Sequence, residues 1–444
     1  MIVSVVLGLA AYLSNSGAIP LFGTKRGGGG SVASEEKKVQ LKFMNWDSAE
    51  KSSRENLERA LKEFSKKHPD IEVVKITVPF TEYQEQLIRQ TSNGDDPDVI
   101  QLNGNWPVLL AKRGVLQEMD GYPEEQKINP DFYSAETVET CKYNGKLYSI
   151  PYCMNAYGLW YNKNLLKRAG IQEPPHTIEE LTEQLGVIRR ELPFIEKPKP
   201  MDVYGIGLDL TRTAYAFEAN WPLFKSFGVT VPLGEFASTT VNNERFLNAL
   251  KWYKMLIDRK YSPDGVRTNV LREMMANEQI VFKVDNPGLK GVIQNINPGF
   301  GGNLFDRTFG VVPLPAAEKL RTDSTVDAYS LGISSRSRNK DAAWKFVRFI
   351  LEDEASVRNY LIPSGYIPSM RSVINNNAVE LNSASTHVFL NDIIPGSKHM
   401  VYTPRYSETS MIILDGMQKI FAGSDINATF KEMDSLLNEL SDEK

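Results

Sequence analysis

The sequence predicts an α/β protein folded as two lobes, each a mostly parallel β-sheet flanked by helices, with a cleft between the lobes. The 444 residues exceed what a single hydrophobic core usually holds, so two cores are expected. Apolar runs typical of strands alternate with segments of helical periodicity, the pattern of parallel sheets with helical crossovers. This alternation starts again beyond Pro151, which indicates a second sheet.

The first strands and helices follow from local periodicity. Val39–Phe43 alternates apolar and polar residues, and the helix Arg54–Lys67 carries Leu57, Leu61 and Phe64 on one face. The remaining predicted elements of the first half are the strand Ile71–Val78, the helix Tyr83–Gln90 and the apolar strand Asp98–Leu102. Ligands of such sheets collect at the carboxyl ends of strands, so residues there should face one crevice. Those residues are Trp46, Asp47, Phe80 and the run from Asn103 to Trp106.

The chain changes course around residue 150. Asn144-Gly145 favours a tight turn with positive φ before the strand Leu147–Ile150, and Pro151 is expected to interrupt strand pairing. Gly170 is placed to end a short helix, Lys163–Ala169, in the left-handed conformation. Thr177 and Glu180 form a capping box for a longer helix that carries one apolar face. The members of that face are Ile178, Leu181, Leu185 and Ile188.

The second half repeats the alternation. Its predicted elements are strands Ala156–Tyr161, Tyr204–Gly207, Ile280–Val284, Phe309–Pro315 and Tyr329–Ile333, and helices Phe246–Arg259 and Asp341–Leu351. A hairpin at Asn144-Gly145 would place Cys141 opposite Tyr148 and leave Cys153 beyond it. Two buried thiols and a disulfide both remain open for this pair.

Composition and charge exclude several classes of function. With 41% hydrophobic and 24% charged residues, the chain has an ordinary globular composition. A net charge of −4 offers no basic excess for nucleic-acid binding. The sequence contains no Walker loop, nucleophile elbow or His-Glu-x-x-His motif, although a pair of glycosidase carboxylates cannot be recognised in one dimension. Only four histidines are present, so we expect neither a metal site nor a cofactor.

The first 33 residues are expected to lie outside the folded body. Ile2–Leu13 is an apolar run of signal-peptide length, and Gly27–Ser31 is typical of a flexible tether. This predicts an exported protein. The segment is either cleaved as a signal peptide or retained as an N-terminal anchor, and the sequence fits both alternatives.

Several motifs resemble family 1 of the extracellular solute-binding proteins, the maltose-binding-protein-like carbohydrate receptors of ABC importers. The motifs are Gly145-Lys-Leu-Tyr-Ser-Ile-Pro-Tyr152, Tyr161-Asn-Lys163, Leu165-Leu166, the helix start from Pro174 to Leu181, Asp98–Leu102, Trp221-Pro-Leu223 and Ala342–Phe346. The resemblance covers residue 39 to the end. Lipid-anchored members carry a cysteine after the apolar run, and this chain has none there.

The resemblance implies a type II periplasmic-binding-protein-like fold. It assigns residues 39–151 and 313–371 to an N-lobe and residues 152–312 and 372–444 to a C-lobe. It implies hinge bending near Pro151, Pro313 and Ser372, a carbohydrate ligand, ABC permease subunits as membrane partners, and a monomer. No catalytic residues are expected.

A sugar presents hydroxyl groups and apolar C–H faces, so its receptor needs aromatic platforms and polar groups that replace water. In the first part of the chain these two kinds of side chain are Trp46, Asp47, Asn103, Asn105, Tyr152 and Asn155. Core packing of Trp46, helix capping by Asp47, turn formation by Asn103 and Asn105 and hinge packing by Tyr152 are the structural alternatives.

The later candidates are Glu218, Trp221, Asp285, Asn286, Tyr329, Arg405 and Tyr406. Trp221 equally fits a core position, and Glu218 fits a helix cap. Arg405 is a candidate for an acidic sugar, against the alternative of a surface salt bridge. The stacking tryptophan that the family carries near Asp285 is absent, with Pro-Gly-Leu289 in its place.

These features together predict a receptor that captures a carbohydrate, with an oligosaccharide as the favoured ligand, and delivers it to an ABC importer. A receptor of the same fold for a peptide or polyamine is the first alternative, and it would need a cluster of acids in the cleft. A glycan-degrading enzyme is the second, and it would turn its ligand over.

Overall fold

The computed structural model of this chain contains two mixed β-sheets, and helices cover each of them. The structure describes residues 38–120, 129–196, 200–229, 244–317, 324–400, 402 and 405–442. The predicted signal segment and the Gly-rich tether lie outside the described residues. No helix within these ranges is both long and apolar enough to cross a bilayer.

The strands are β1 Val39–Asn45, β2 Ile71–Thr77, β3 Val99–Asn103, β4 Lys142–Tyr143, β5 Lys146–Leu147, β6 Ile150–Ala156, β7 Gly158–Asn162, β8 Phe194–Glu196, β9 Pro200–Asp202, β10 Tyr204–Gly207, β11 Ile280–Asp285, β12 Phe309–Val312, β13 Thr325–Ile333, β14 Ile367–Pro368 and β15 Lys398–His399. Each long strand that the sequence predicts is present, with its ends moved by a few residues.

The helices are α1 Lys51–Lys67, α2 Phe80–Ser92, α3 Trp106–Lys112, α4 Ala135–Glu139, α5 Lys163–Arg168, α6 Ile178–Glu191, α7 Ala214–Ser226, α8 Glu244–Asp258, α9 Thr268–Ala276, α10 Leu289–Ile296, α11 Asn303–Thr308, α12 Lys340–Glu352, α13 Glu354–Ser356, α14 Arg371–Asn376, α15 Ala384–Val388, α16 Tyr406–Phe421 and α17 Ile426–Asp442. Short 3₁₀ or π turns at Pro130–Phe132, Pro298–Phe300, Val357–Leu361, Phe389–Ile393 and Ile394–Gly396 connect some of them.

The first sheet has the order β14-β6-β13-β3-β1-β2, with β15 beside β13. Strand β1 is parallel to β2 and β3, but β13 is antiparallel to β3 and β6. The sheet is therefore mixed rather than mostly parallel. The physical reason is that β3 and β6 run toward the other lobe, whereas β13 returns from it.

The second sheet has the order β10-β11-β7-β12. Strands β10 and β11 are parallel, and β7 is antiparallel to both of its neighbours. Here β7 enters the lobe from the crossing, so it runs against strands that end there. The expectation of a mostly parallel sheet is wrong for this lobe as well, for the same reason.

Pro151 does not end the strand pairing as expected. It lies within β6 opposite Ser330, and the register shifts between Tyr329 and Ser330, where proline cannot donate to the ladder. Ala156 still pairs with β13, and Gly158 already pairs with β11, so the chain changes sheets at Tyr157. The lobe boundaries remain a prediction. Strand β15 joins the first sheet, although its residues were assigned to the C-lobe.

The turns and caps predicted from local sequence are confirmed. Asn144 and Gly145 have φ of 50° and 75°, and the Tyr148 amide donates to the Cys141 carbonyl over 3.0 Å. Cys141 and Cys153 are free, buried thiols. Gly170 has φ of 78° after α5, and Thr177 with Glu180 forms the capping box of α6.

Each lobe has its own apolar core. Under the first sheet, α1 and α12 contribute Phe64 and Phe346, which pack edge to face over 5.2 Å. In the second lobe, the rings of Phe224 on α7 and Phe246 on α8 stack over 5.1 Å. The expected buried face of α6 packs into this second core.

Candidate functional site

Aromatic rings cover the carboxyl end of the first sheet. Trp46, just beyond β1, packs edge to face against Phe80, Trp106 and Tyr329 at ring-centroid distances of 5.5, 5.9 and 5.1 Å. The Trp46 amide donates to Gln101 Oε1 over 2.9 Å, which fixes the backbone beneath the ring. We call these four rings the aromatic floor.

Asp47 lies beneath the aromatic floor and within the first lobe. Its carboxylate accepts from Gln101 Nε2 and from the Tyr366 hydroxyl, each over 2.6 Å, and from the Tyr360 hydroxyl. Burial raises the pKa of Asp47, and these donors only partly oppose the shift. The described contacts of Asp47 therefore order the tyrosines that support the floor.

Two further candidates, Tyr152 and Asn155, lie on β6. The Tyr152 hydroxyl accepts from Gln101 Nε2 over 2.6 Å, and its ring packs edge to face on Tyr366. Asn155 is buried opposite Asp327 of β13. Tyr152 thus belongs to the network under the floor, and Asn155 lies on the strand that leaves the first sheet.

A polar cluster forms the facing side of the second lobe. Arg272 of α9 makes a bidentate pair with Asp285 at the end of β11, with Nη2–Oδ1 and Nε–Oδ2 distances of 2.6 and 2.8 Å. Lys283 Nζ lies 3.4 Å from the same carboxylate. Burial alone would raise the pKa of Asp285, but the two cations hold it below its ordinary value. Burial lowers the pKa of Lys283.

Tyr215 joins this cluster to the floor. Its hydroxyl accepts from Arg272 Nη2 over 3.4 Å, and its ring packs edge to face on Phe80 over 5.3 Å. We call Tyr215, Arg272, Lys283 and Asp285 the polar wall. The floor and the wall therefore belong to different lobes and touch through the Phe80–Tyr215 contact.

A second contact between the lobes is polar. Asn103 Nδ2 lies 3.3 and 3.4 Å from the two oxygens of Glu218 on α7, and the Tyr157 hydroxyl lies 3.3 Å from Glu218 Oε1. The Tyr402 hydroxyl donates to Asp327 Oδ2 over 2.7 Å. We call this group of Asn103, Tyr157, Glu218, Asp327 and Tyr402 the junction.

The backbone approaches the junction closely at Gly104. Its φ is +52°, and a Cβ added there would lie 2.8 Å from Glu218 Oε2 and 3.2 Å from the Tyr402 hydroxyl. A side chain would clash with both groups and strain the backbone. Asn105, the next residue, places Nδ2 3.4 Å from Ser407 Oγ.

Four other candidates make structural contacts away from the floor. Trp221 packs in the second core against Phe217 and Phe224. Asn286 accepts from the Gly288 amide in a turn, and Arg405 donates to the Leu440 carbonyl over 2.9 Å. For Trp221, these contacts match the core alternative.

The fourth of these candidates, Tyr406, is buried among rings. Its ring packs edge to face against Tyr402 and Phe217, at centroid distances of 5.0 and 5.8 Å. It adjoins the junction through Tyr402.

Sequence reasoning missed Tyr215, Arg272, Asp327 and Tyr402. Asp327 lies two residues before Tyr329 on one strand, so both side chains point to the same face, and this spacing was a usable signal. Tyr215 lies three residues before Glu218 on α7, which is also neighbouring spacing on a helix. Nothing in the local sequence links Arg272 to Asp285, since the pair forms only when α9 packs on β11.

The arrangement combines flat apolar rings with charged hydrogen-bonding groups on opposing lobes. Such a site suits a ligand with both apolar faces and hydroxyl groups. Within the described ranges, no three His, Cys, Asp or Glu side chains are grouped so as to hold a metal ion.

Known sugar-binding proteins are similar to this chain in sequence and in fold. The chain is 22% identical over 346 residues to the maltotriose-binding protein of Pyrococcus abyssi, a match that covers 76% of this chain and 69% of the relative. It is 21% identical over 352 residues to the galactooligosaccharide-binding protein of Bacillus subtilis, covering 77% and 76%.

The maltose-bound structure of T. maritima MalE3 superposes with a TM-score of 0.77 and 23% identity, over 90% of this chain and 100% of that one. The predicted type II two-lobed fold is thereby confirmed. The family model for bacterial extracellular solute-binding proteins matches residues 50–357. The chain therefore belongs to the bacterial extracellular solute-binding protein family.

Proposed function

We propose that this protein is a receptor that captures a carbohydrate between the aromatic floor and the polar wall and presents it to an ABC importer. The observation that carries the proposal is the contact of Phe80 with Tyr215, which brings the floor of one lobe, with Trp46 and Tyr329, next to the polar wall of the other. A sugar ring has an apolar C–H face for the floor and hydroxyl groups for the polar wall.

Arg272 is the polar group best prepared for a ligand. Its Nε and Nη2 are bound to Asp285, and among the described residues Nη1 makes no hydrogen bond. The guanidinium is held in place before the ligand arrives, so little side-chain entropy is lost on binding. In this proposal Nη1 donates to sugar hydroxyl oxygens.

Binding is coupled to lobe movement in this proposal. The chain crosses between the sheets at Tyr157 and again between β12 and β13. In this proposal both crossings bend. A ligand that contacts both lobes stabilises the closed arrangement, because the open one offers only one set of contacts. The lobes would follow the predicted boundaries, except that the first crossing moves from Pro151 to Tyr157 and β15 joins the first lobe.

The relatives support the choice of ligand and partner. Their names include maltotriose and galactooligosaccharide, and another relative, from Deinococcus radiodurans, is a probable ABC transporter-binding protein. We propose that this chain is exported, acts as a monomer, delivers its sugar unaltered to ABC permease subunits in the membrane, and has no enzymatic activity.

A thermal-shift screen of neutral oligosaccharides, acidic saccharides, peptides and polyamines tests the ligand class. A ligand at about 100 times its dissociation constant stabilises the folded state by about 2.7 kcal/mol, which raises the melting temperature measurably. We expect neutral oligosaccharides to give the largest shift. A melting-temperature shift with polyamines or peptides alone would contradict the carbohydrate proposal. Release of shorter glycans from an oligosaccharide would contradict the proposal that the protein has no enzymatic activity.

A matched pair of variants tests the site. Trp46→Phe removes part of the floor, and Trp252→Phe removes an equally buried indole from α8, away from the cleft. We expect Trp46→Phe to weaken sugar binding about tenfold, because the C–H face of a sugar stacks less well on the smaller ring. Trp252→Phe should leave the affinity unchanged. Equal effects of the two substitutions would contradict the proposed site.

A further inference from the structure

Two carboxyl groups from different lobes meet at the junction. Glu218 lies on α7, which packs against the second sheet, and Asp327 lies on β13 of the first. A Cβ at Gly104 would lie 2.8 Å from Glu218 Oε2 and 3.4 Å from Asp327 Oδ2, so both oxygens converge on one small volume. Both side chains are buried, and the charge of Asp327 adds to the rise in the pKa of Glu218.

The hydrogen-bond donors around the pair are neutral. Asn103 and Tyr157 face Glu218, and the Tyr402 hydroxyl and the Ala328 amide face Asp327. The other titratable side chains near either carboxyl are Tyr215, Tyr329, Tyr406, Cys141 and Cys153. Each of these is neutral in the range where carboxyl groups titrate.

Most charged side chains on the neighbouring elements are bound elsewhere, and the remaining ones on α9 and α16, Glu273 and Glu408, are acidic and supply no cation. On α9 and β11, Arg272, Lys283 and Asp285 bind one another. On α16, Asp415 and Lys419 bind Arg212 and Glu432 at the surface. On β15, Lys398 and His399 bind Glu136. Among the described residues, no cation is in ion-pair contact with Glu218 or Asp327.

A pair of buried carboxylates without a cation is unstable when both are ionised. Burial raises the pKa of Asp327 to about 6. Burial, followed by the charge of Asp327, raises the pKa of Glu218 well above its ordinary value. One proton held between the two groups removes the repulsion and adds a hydrogen bond across the lobes.

We propose that Glu218 and Asp327 form a proton-sharing contact that makes closing of the two lobes depend on pH. On closing, one proton is taken up from solvent and lies between a Glu218 oxygen and an Asp327 oxygen. On opening, both carboxyl groups return to water and the proton is released.

The direction of the dependence follows from the two states. In the open arrangement both groups are solvated, with ordinary pKa values near about 4. Closing raises both pKa values, so the closed arrangement binds more protons and is favoured at low pH. Its advantage is lost as the pH rises from about 4 through about 6 and beyond. Uptake of one proton changes the closed-to-open ratio by at most about tenfold per pH unit.

The test measures the distance between the lobes without any ligand. Nitroxide labels are attached to Lys62→Cys on α1 and Lys251→Cys on α8, both exposed positions, while Cys141 and Cys153 are too buried to react. Pulsed EPR gives the population at the shorter distance at about pH 5, 6 and 8. We expect the closed-to-open ratio to fall about tenfold or more across this range.

Three further variants in the labelled background identify the groups. Glu218→Gln and Asp327→Asn each leave one carboxylate, to which the new amide can donate, so the ratio should vary less than about twofold with pH. Asp415→Asn changes the charge equally at a surface pair and should keep the full dependence. Either junction variant suffices if the other fails to fold.

A ratio that stays constant with pH in the parent protein overturns the proposal. So does a full pH dependence in a folded Glu218→Gln or Asp327→Asn variant. Because no sugar is present in the measurement, failure of the carbohydrate proposal would appear in the thermal-shift screen and would leave this result intact.

Discussion

Two buried aspartates, Asp47 in the first lobe and Asp285 in the second, are each 1% exposed, yet their carboxyl groups behave in opposite ways. Asp47 accepts hydrogen bonds from two tyrosine hydroxyls and an amide, and its pKa is raised because burial dominates. Asp285 faces Arg272 and Lys283, and despite the same burial its pKa is lowered.

The comparison separates the effect of burial on a carboxyl pKa from the effect of neighbouring charges. Neutral donors oppose the cost of burying a carboxylate only in part, whereas two cations reverse it. The first lobe therefore uses its aspartate to order rings, and the second uses its aspartate to pair with the buried cations Arg272 and Lys283. The following variants break one arrangement at a time.

Asp285→Ala should have the largest effect on stability. It leaves Arg272 and Lys283 buried without their carboxylate, and we expect the free energy of unfolding to fall by about 3–5 kcal/mol. Urea denaturation measures the loss. Asp415→Ala, which breaks a surface pair with Arg212, is the control and should change the midpoint little. Similar losses in both variants would show that the buried pair contributes no more than a surface pair.

Asp47→Ala should cost less, because the partners it leaves are neutral. The unpaired donors of Tyr360, Tyr366 and Gln101 should lower the free energy of unfolding by about 2–3 kcal/mol. Asp47→Asn retains one acceptor oxygen and should lose less in the same urea titration. An equal loss in the Asn and Ala variants would indicate that packing, rather than hydrogen bonding, is the role of Asp47.

The pH dependence of stability should differ in sign between the two sites. Because the pKa of Asp47 is raised in the folded state, Asp47 adds to the folding stability at low pH. This added stability is lost as the pH rises from about 4 through the folded-state pKa. The lowered pKa of Asp285 gives added stability that is present above about pH 4 and is lost as the pH falls.

Unfolding free energies measured from about pH 3 to 8 test this. Asp47→Asn should remove the decrease in unfolding free energy that occurs as the pH rises above about 4. Asp285→Asn should remove the decrease that occurs as the pH falls below about 4. Each slope is at most about 1.4 kcal/mol per pH unit. If both variants changed the pH dependence of the unfolding free energy in the same direction, the opposite pKa shifts of Asp47 and Asp285 would be contradicted.

Tyr366→Phe should have the smallest effect. It removes one of several donors to Asp47, so we expect a loss of about 1 kcal/mol and a further rise in the Asp47 pKa. Tyr204→Phe, whose hydroxyl takes no part in this network, is the matched control in the urea titration. A loss near that of Asp47→Ala would mean that the network acts as a single unit.

Much of the fold was predictable because its signals are local. The turn at Asn144-Gly145 needs only residues that accept positive φ, and the capping box needs only Thr177 and Glu180 at the right spacing. The helical face of α6 repeats within a few residues and is buried as expected. The candidate site was predictable where strand ends carry it, as at Trp46 and Asn103.

The sequence by itself determined the long strands, several of the helices, the turns and caps, and the resemblance to the family, because each depends on residues close together along the chain. Only the tertiary structure decided that Pro151 stays within a strand, that Arg272 binds Asp285, and that Glu218 meets Asp327 beside Gly104. Those contacts join elements separated in sequence, and their geometry depends on how the sheets and helices pack.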